Sequence, residues 1–352
     1  MKTFFRILIV VTCLGMVYYF SNEEPSKTEL LEGPTQISQP VAEVQTSIRN
    51  VNELPRPTSG ISKFIGVSSD VVLGNYGSPD RVDPSSFGYE WWVYQTQYEL
   101  LMVGILEGIV SQIYTNSLNF DVSPYIIGQS LDDVYRRTIF EQEVTAEVKD
   151  NLYVFAMDEQ DMKNRILVKY EDLFAQLYID SETNQLYGVR FIDGATLVLH
   201  KPYEMQFVGE LLEASTPSSY AQIEINRANG LQLTDLANSF RQKNDRFVLE
   251  PSNELTIIAN DQSEALFIED MDAQDSDTEI PSLEDRLVEQ EWEYDFAKEN
   301  IAKNYVDAIE VMHGWMNSKE HRELLLNDRL TQIGSGTFVN YYTQIYLSEK
   351  DR

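Results

Sequence analysis

The sequence predicts an α+β protein with a membrane segment at its N-terminus. Three observations support this class. An apolar run follows basic residues at the start of the chain, and a short motif occurs twice in the middle. The last third combines an amphipathic helical pattern with a final alternating strand.

Composition limits the possible functions. The chain has 352 residues, which is enough for two domains, and its 20 tyrosines and 16 phenylalanines indicate a globular fold. Its 57 acidic and 27 basic residues give a net charge of −30, which repels nucleic acid. We therefore expect no nucleic-acid partner. The single cysteine, Cys13, lies in the apolar run, so the rest of the chain offers no disulfide, thiolate metal site or cysteine nucleophile.

Residues 1–20 are predicted to direct export. Lys2 and Arg6 precede an uninterrupted apolar run that ends at Phe20. The run is short for a span, but residues 4–20 reach the needed length if Arg6 extends toward the interface. Large aromatic residues before the first polar residue favour an uncleaved anchor, with a cleaved signal or a lipoprotein as alternatives. We expect a single-pass membrane protein with extracytoplasmic domains, or alternatively a secreted one.

Residues 21–60 are predicted to be a disordered tether. The stretch contains no aromatic residue and five of the twelve prolines, so it cannot bury a core. A flexible coil of this length reaches on the order of 35 Å.

Residues 61–205 are predicted to contain a duplicated α/β unit, with copies at 65–115 and 127–195. Ile65-Gly66-x-Ser68 returns as Ile127-Gly128-x-Ser130, and each serine is placed to cap a short helix. Strand-like runs follow each copy. Trp91 and Trp92 are neighbours in one such run and point to opposite faces of a strand, so they are interpreted as divided between the core and the layer that covers it. Residues 206–230 are predicted to be a linker.

The C-terminal part, residues 231–352, shows helical spacing from Asp307 to Trp315. Ser318 is predicted to cap a second helix. Gly334 and Gly336 are interpreted as a tight entry to a final strand. His200 and His313 are predicted to lie at the surface or at an edge.

Several motifs in this part resemble a bacterial CAP (SCP/PR-1-like) domain. The motifs occur in the order of that family and read "NSFR" from Asn238, "SLEDRL" from Ser282, "KENIA" from Lys298, "WMNSKEHRELLLN" from Trp315 and "YYTQIY" from Tyr341. The resemblance implies a three-layer α-β-α sandwich with a small antiparallel sheet. The duplicated region is similar to the CAP-associated N-terminal domain of Bacillus-type envelope proteins.

The family's cleft often joins two histidines and one or two glutamates, which hold a divalent metal in some members. Residue by residue, the resemblance places Glu299 and His321 in this cleft. Asp275 stands where the second histidine belongs, and Ser318 where the second glutamate belongs. Two cleft candidates remain. Gln262 stands where the family's motif helix has a histidine, and Asn300 directly follows Glu299.

Loss of one imidazole weakens a zinc site, so no cofactor is expected, with a weakly bound divalent metal as the alternative. For His321, three roles stay open: a structural hydrogen bond, a polar ligand cleft, and metal binding or catalysis. Ser318 and His321 do not indicate a serine hydrolase, because a capping serine already uses its hydroxyl.

The favoured function is a non-catalytic, membrane-tethered extracytoplasmic protein that binds an envelope component: a wall polymer, a lipid or a protein. The alternative is a metal-assisted hydrolase acting on peptide or cell-wall material, with Glu299 as base and His321 as ligand or acid. A third possibility is that the duplicated domain binds the ligand and the CAP-like domain serves as a platform for partners.

Overall fold

A computed structural model describes residues 29–34, 37–42, 54–96, 99–138, 140–271 and 280–350. The predicted membrane segment and Asp275 lie outside these ranges. Within them, no helix combines the length and apolar composition that a membrane span requires. The helices are α1 (Ser69–Tyr76), α2 (Leu131–Arg137), α3 (Asp161–Asn164), α4 (Gly194–His200), α5 (Ser219–Lys243), α6 (Asn253–Met271), α7 (Leu283–Glu289), α8 (Ala308–Asn317) and α9 (Lys319–Leu325), with a 3-10 turn at Ile61–Phe64.

The strands form three sheets. In chain order they are β1 (Leu30–Glu32), β2 (Ser38–Pro40), β3 (Arg81–Pro84), β4 (Glu90–Thr96), β5 (Glu99–Leu106), β6 (Ile109–Thr115), β7 (Glu143–Val148), β8 (Asn151–Ala156), β9 (Arg165–Lys169), β10 (Phe174–Asp180), β11 (Gln185–Ile192), β12 (Glu204–Val208), β13 (Glu250–Pro251), β14 (Tyr294–Lys303), β15 (Gln332–Phe338) and β16 (Tyr341–Glu349).

The two predicted copies contribute to one seven-stranded sheet of order β3-β4-β5-β6-β11-β10-β9. The first predicted copy supplies β3 to β6, and the second supplies β9 to β11. Gly66 and Gly128 both have positive φ, and their N–H groups donate to Val110 and Leu186 at 2.8 and 2.7 Å. The two glycines therefore make the same left-handed turn against equivalent hairpins.

The predicted helix caps of the two copies are also present. Ser68 accepts a hydrogen bond from the N–H of Asp70, and Ser130 accepts one from that of Asp133. Each serine thus satisfies one of the N–H groups that the first turn of a helix leaves without a partner.

Two predicted irregular segments contain regular structure. Within the tether, β1 pairs with β14, and β2 pairs with β12 in the four-stranded sheet β2-β12-β8-β7. The predicted linker contains the end of β12 and the first half of α5, which Ser218 caps. Composition did not indicate either strand, because edge strands are held by main-chain hydrogen bonds and need little apolar pattern.

The C-terminal domain is a three-layer α-β-α sandwich, as the resemblance implied. Its sheet has the order β1-β14-β16-β15-β13. Helices α6 and α7 share a small apolar core with one face, and α5, α8 and α9 cover the other. The central pairs β14–β16 and β15–β16 are antiparallel, while both edge strands pair in parallel.

Gly334 and Gly336 lie inside β15, and the final strand β16 begins only at Tyr341, so the two glycines do not form the predicted entry to it. A Cβ atom on Gly334 would lie 2.4 Å from the backbone of Leu255, and one on Gly336 would lie 2.1 Å from the backbone N of Asn260. Both contacts are with α6. The glycines are therefore required because the helix backbone approaches this strand too closely for any side chain.

The two domains share one hydrophobic core. Tyr89, just before β4, and Trp91 on β4 belong to a single buried cluster. The same cluster contains Leu233 and Phe240 of α5 and Trp315 of α8. Trp91 is 1% exposed, whereas Trp92 on the opposite face of β4 is half-buried. Helices α5 and α8 thus pack between the two sheets.

A polar stripe on α8 crosses this shared core. Asp307 accepts two bonds from Arg190 at 2.9 and 2.8 Å, and Glu310 accepts one from Arg165 at 2.9 Å. His313 lies one turn further along, with Nε2 2.8 Å from the hydroxyl of Tyr114. The predicted surface position of His313 is therefore wrong, because the second domain covers the helix face that points away from the C-terminal sheet.

Replacing Asp307 by Asn tests this interface. Asparagine also caps helices, so the substitution keeps the helix start but removes the hydrogen-bonded counter-charge of the buried Arg190. We expect the free energy of unfolding to fall by about 3 kcal/mol or more. Urea unfolding followed by tryptophan fluorescence measures the change. The matched control is Arg136→Met at an exposed ion pair, which should change stability by less than about 1 kcal/mol. Equal effects of the two substitutions would contradict the interface.

Candidate functional site

His321 lies near the start of α9 and is 2% exposed. Its Nε2 is 3.0 Å from the main-chain oxygen of Glu29, and its Nδ1 is 2.8 Å from the hydroxyl of Ser318. A carbonyl oxygen only accepts, so Nε2 carries the proton and donates to Glu29. Nδ1 then accepts from Ser318, and both ring nitrogens of a neutral imidazole are used.

The electrostatics favour this neutral form. Burial lowers the pKa of His321, and the carbonyl and charge of Glu29, together with the charge of Glu320, only partly oppose it. Ser318 occupies the predicted N-cap position of α9, but its side chain makes no hydrogen bond to the first turn of the helix. Its hydroxyl is instead held by the imidazole.

Glu299 lies on β14 and is 7% exposed. Its two carboxylate oxygens accept from Nη2 of Arg286 at 3.0 and 2.8 Å. Arg286 belongs to the "SLEDRL" motif, where Ser282 and Asp285 form a reciprocal capping box at the start of α7. The cap fixes the helix that carries the arginine, and the arginine neutralises the carboxylate.

Of the remaining candidates, Asn300 is hydrogen-bonded to the main chain of His321. Asn300 is buried and donates from Nδ2 to the main-chain oxygen of His321 at 3.1 Å, which ties α9 to β14. Gln262 is buried on α6, and its Oε1 has no hydrogen-bond partner within the described ranges. Lys298 is exposed, so its amine does not point into the protein.

The described residues contain no group of three His, Cys, Asp or Glu side chains arranged to hold a metal ion. Of the predicted ligands, Glu299 is paired with an arginine, His321 has both nitrogens engaged, and Asp275 lies outside the described residues. The groups that the structure does describe around Glu299 and His321 form hydrogen bonds within the protein.

The carbonyl of Glu29 reaches His321 because the N-terminal segment lies along the edge of the sheet. Leu30 is opposite Ile301 and Leu31 is opposite Ala302 in parallel register. We name residues 29–34 the N-terminal clasp. Sequence reasoning missed it, and the only sequence signal was a pair of leucines in an otherwise polar stretch.

His200 is also buried, contrary to its predicted edge position. Its ring lies between the hydroxyl of Tyr89 at 3.1 Å and Nη1 of Arg190 at 3.3 Å. Burial, assisted by the charge of Arg190, lowers the pKa of His200 to about 3. Burial likewise lowers the pKa of His313 well below its usual value. Neither histidine lies in an open cleft.

Comparison with known proteins agrees with this architecture. A family model described as CAP-associated N-terminal matches residues 65–203, and a model described as the cysteine-rich secretory protein family matches residues 234–346. The chain is 31% identical to the Bacillus subtilis (strain 168) membrane protein YlbC, over 99% of both chains. It therefore belongs to the cysteine-rich secretory protein (CAP) family, with a CAP-associated N-terminal domain ahead of the CAP domain.

Solved structures of similar proteins share the fold. An extracellular protein containing an SCP domain from Bacillus anthracis str. Ames is 31% identical and superposes with a TM-score of 0.77, covering 86% of this chain and 99% of that one. A cysteine-rich secretory protein from Staphylococcus aureus subsp. aureus Mu50 is 23% identical, with a TM-score of 0.76 over 91% of this chain and 100% of its own. The second match shows the fold alone.

The buried histidines predict a loss of stability in acid. Unfolded histidines take up protons below a pH of about 6.5, whereas the folded-state pKa values of these three residues are lowered. Their contribution to stability is therefore complete above pH 6.5 and decreases as the pH falls toward the folded-state pKa. Each histidine adds at most about 1.4 kcal/mol per pH unit to the slope.

His200→Gln isolates one of these contributions. Between pH 6 and 4.5, we expect the slope of unfolding free energy against pH to be smaller in the variant than in the unsubstituted protein by about 1.4 kcal/mol per pH unit. This difference corresponds to the one proton that unfolded His200 binds. Urea unfolding of both proteins across this range measures it. The carboxylates are the same in both chains, so their contribution cancels in the comparison. An unchanged slope would mean that folded His200 protonates normally.

Proposed function

We propose that this protein is a non-catalytic, membrane-tethered CAP-domain protein that binds a component of the cell envelope outside the cytoplasmic membrane. One observation carries the non-catalytic part: the two groups that could do chemistry are both engaged within the protein. Arg286 holds Glu299, and Ser318 together with the carbonyl of Glu29 holds His321. The neutral imidazole of His321 has one acceptor lone pair, which the hydroxyl of Ser318 occupies. The guanidinium of Arg286 occupies the position beside Glu299 that a metal ion or a proton-donating substrate would need.

The proposed location rests on sequence and on relatives. The basic and apolar residues at the N-terminus have the pattern of an export signal. One relative is described as a membrane protein, and another as an extracellular protein. The acidic composition favours a solvated surface and not an anionic partner such as nucleic acid.

The alternative function is a metal-assisted hydrolase that acts on peptide or wall material. It requires that Glu299 break its ion pair with Arg286 and act as the base. It also requires that His321 break its hydrogen bond to Ser318 or to Glu29. Metal content separates the two functions without knowledge of the substrate.

Metal analysis is the first test. Full-length protein is incubated with excess Zn²⁺, desalted and measured by inductively coupled plasma mass spectrometry. Because the described residues contain no set of free side chains that could hold a metal ion, we expect less than about 0.1 zinc ion per chain. His321→Ala serves as the matched variant and should give the same value. One metal per chain that is lost in His321→Ala would replace our proposal with the hydrolase.

Retention on envelope fractions is the second test. Full-length protein in lipid nanodiscs is pelleted with purified cell wall, floated with added lipid vesicles, and passed over immobilised envelope proteins. We expect at least roughly tenfold enrichment on one of these fractions over empty nanodiscs, which corresponds to about 1.4 kcal/mol of preference. Failure on all three would contradict the binding function. Because the domains share a core, full-length protein is used and not separated halves.

A further inference from the structure

The edge of the C-terminal sheet is covered by very few residues. The pairing of β1 with β14 spans three residues, from Leu30 to Glu32. Both leucines are only half-buried, and the side chain of Glu32 is 63% exposed. Segments with little buried apolar surface detach at low cost, so this contact is weak compared with the core beneath it.

The edge nevertheless recognises specific features of the clasp. The N–H of Gly33 donates to the carbonyl of Lys303 at 2.8 Å, and the ammonium of Lys303 pairs with Glu32 at 2.9 Å. His321 donates to the carbonyl of Glu29 at 3.0 Å. Main-chain and side-chain contacts are therefore combined within five residues of bound chain.

Gly33 adds a steric requirement. A Cβ atom at this position would lie 2.4 Å from the main-chain oxygen of Asn304. A backbone oxygen cannot move aside as the end of a flexible side chain can. The edge thus accepts glycine at the position that follows the acidic residue and disfavours any larger residue.

We propose that the edge of β14, with His321 and Lys303, is a binding site for an extended peptide from another protein, and that the N-terminal clasp occupies it in cis. The favoured peptide has two apolar residues, then an acidic residue, then glycine, as in the clasp sequence "ELLEGP" (residues 29–34). It binds in parallel register by adding a strand to the sheet. This inference rests on the proposed binding function and names a protein segment as the partner.

The chemistry favours a peptide over a polysaccharide or a lipid. An exposed strand edge presents alternating N–H and C=O groups at the spacing of another main chain. The clasp satisfies these groups in the folded protein, and a competing peptide must displace it. Because the clasp occupies the site in cis, the apparent affinity for a competing peptide is the intrinsic affinity multiplied by the fraction of time that the site is open.

The test uses full-length protein and a fluorescein-labelled peptide with the sequence of residues 29–34. Gly33→Ala should detach the clasp through its clash with Asn304. Gly74→Ala is the matched control, because no atom lies within 4 Å of a Cβ built there. We expect Gly33→Ala to bind the peptide at least about tenfold more tightly than the control, measured by fluorescence anisotropy. Hydrogen exchange of residues 30–33 reports whether the clasp has detached.

A charge reversal provides an independent variant. Lys303→Glu repels the chain's own Glu32, so it should also release the clasp. It should prefer a peptide with lysine in place of Glu32 over the natural peptide by about tenfold, and Gly33→Ala should show the opposite preference. Adding His321→Ala to Gly33→Ala should weaken peptide binding.

Two results would overturn the proposal. One is a detached clasp with no peptide binding in either variant. The other is a clasp that stays attached in both variants, since the site would then not be exchangeable. Peptide binding without retention on any envelope fraction would support this inference and contradict the proposed function. Equal envelope retention in all variants, without peptide binding, would support the proposed function and contradict this inference.

Discussion

The ion pair between Asp307 and Arg190 is the interaction on which the rest of the structure depends. It joins the start of α8 in the CAP domain to strand β11 in the interior of the N-terminal sheet, and Arg190 is fully buried. Breaking a buried pair leaves a charge without compensation, so the two domains cannot separate at this point without large cost. Glu310 with Arg165 repeats the arrangement one turn along the helix.

This interface explains why His200 and His313 are buried. His200 contacts Arg190, and His313 stacks on Tyr178 with ring centroids 4.1 Å apart. His321 lies on α9 and is covered by the N-terminal clasp. Each neutral imidazole lies within hydrogen-bond distance of a hydroxyl group, that of Tyr89, Tyr114 or Ser318. His321 also donates to a carbonyl oxygen. The residue type most often used in catalysis thus serves here to satisfy polar groups in the interior.

The two groups that the resemblance placed in a cleft are both engaged within the protein. Glu299 and His321 were identified from sequence motifs alone, and the structure describes both as buried. Their partners were not identified, because Arg286 and Glu29 lie 13 and 292 residues away in the chain from the groups they bind. Whether a carboxylate is free or paired depends on such distant contacts, which no local pattern contains.

The sequence by itself determined the α+β class, the family and the positions of the principal motifs, because these depend on local periodicity, caps and glycines. It did not determine the shared core, the clasp or the surroundings of the histidines. The helix from Asp307 to Trp315 illustrates the reason. Its apolar face was readable from spacing, but its polar face looked solvated. Only the tertiary structure places a second sheet with matching arginines against that face, and burial of charge depends on that placement.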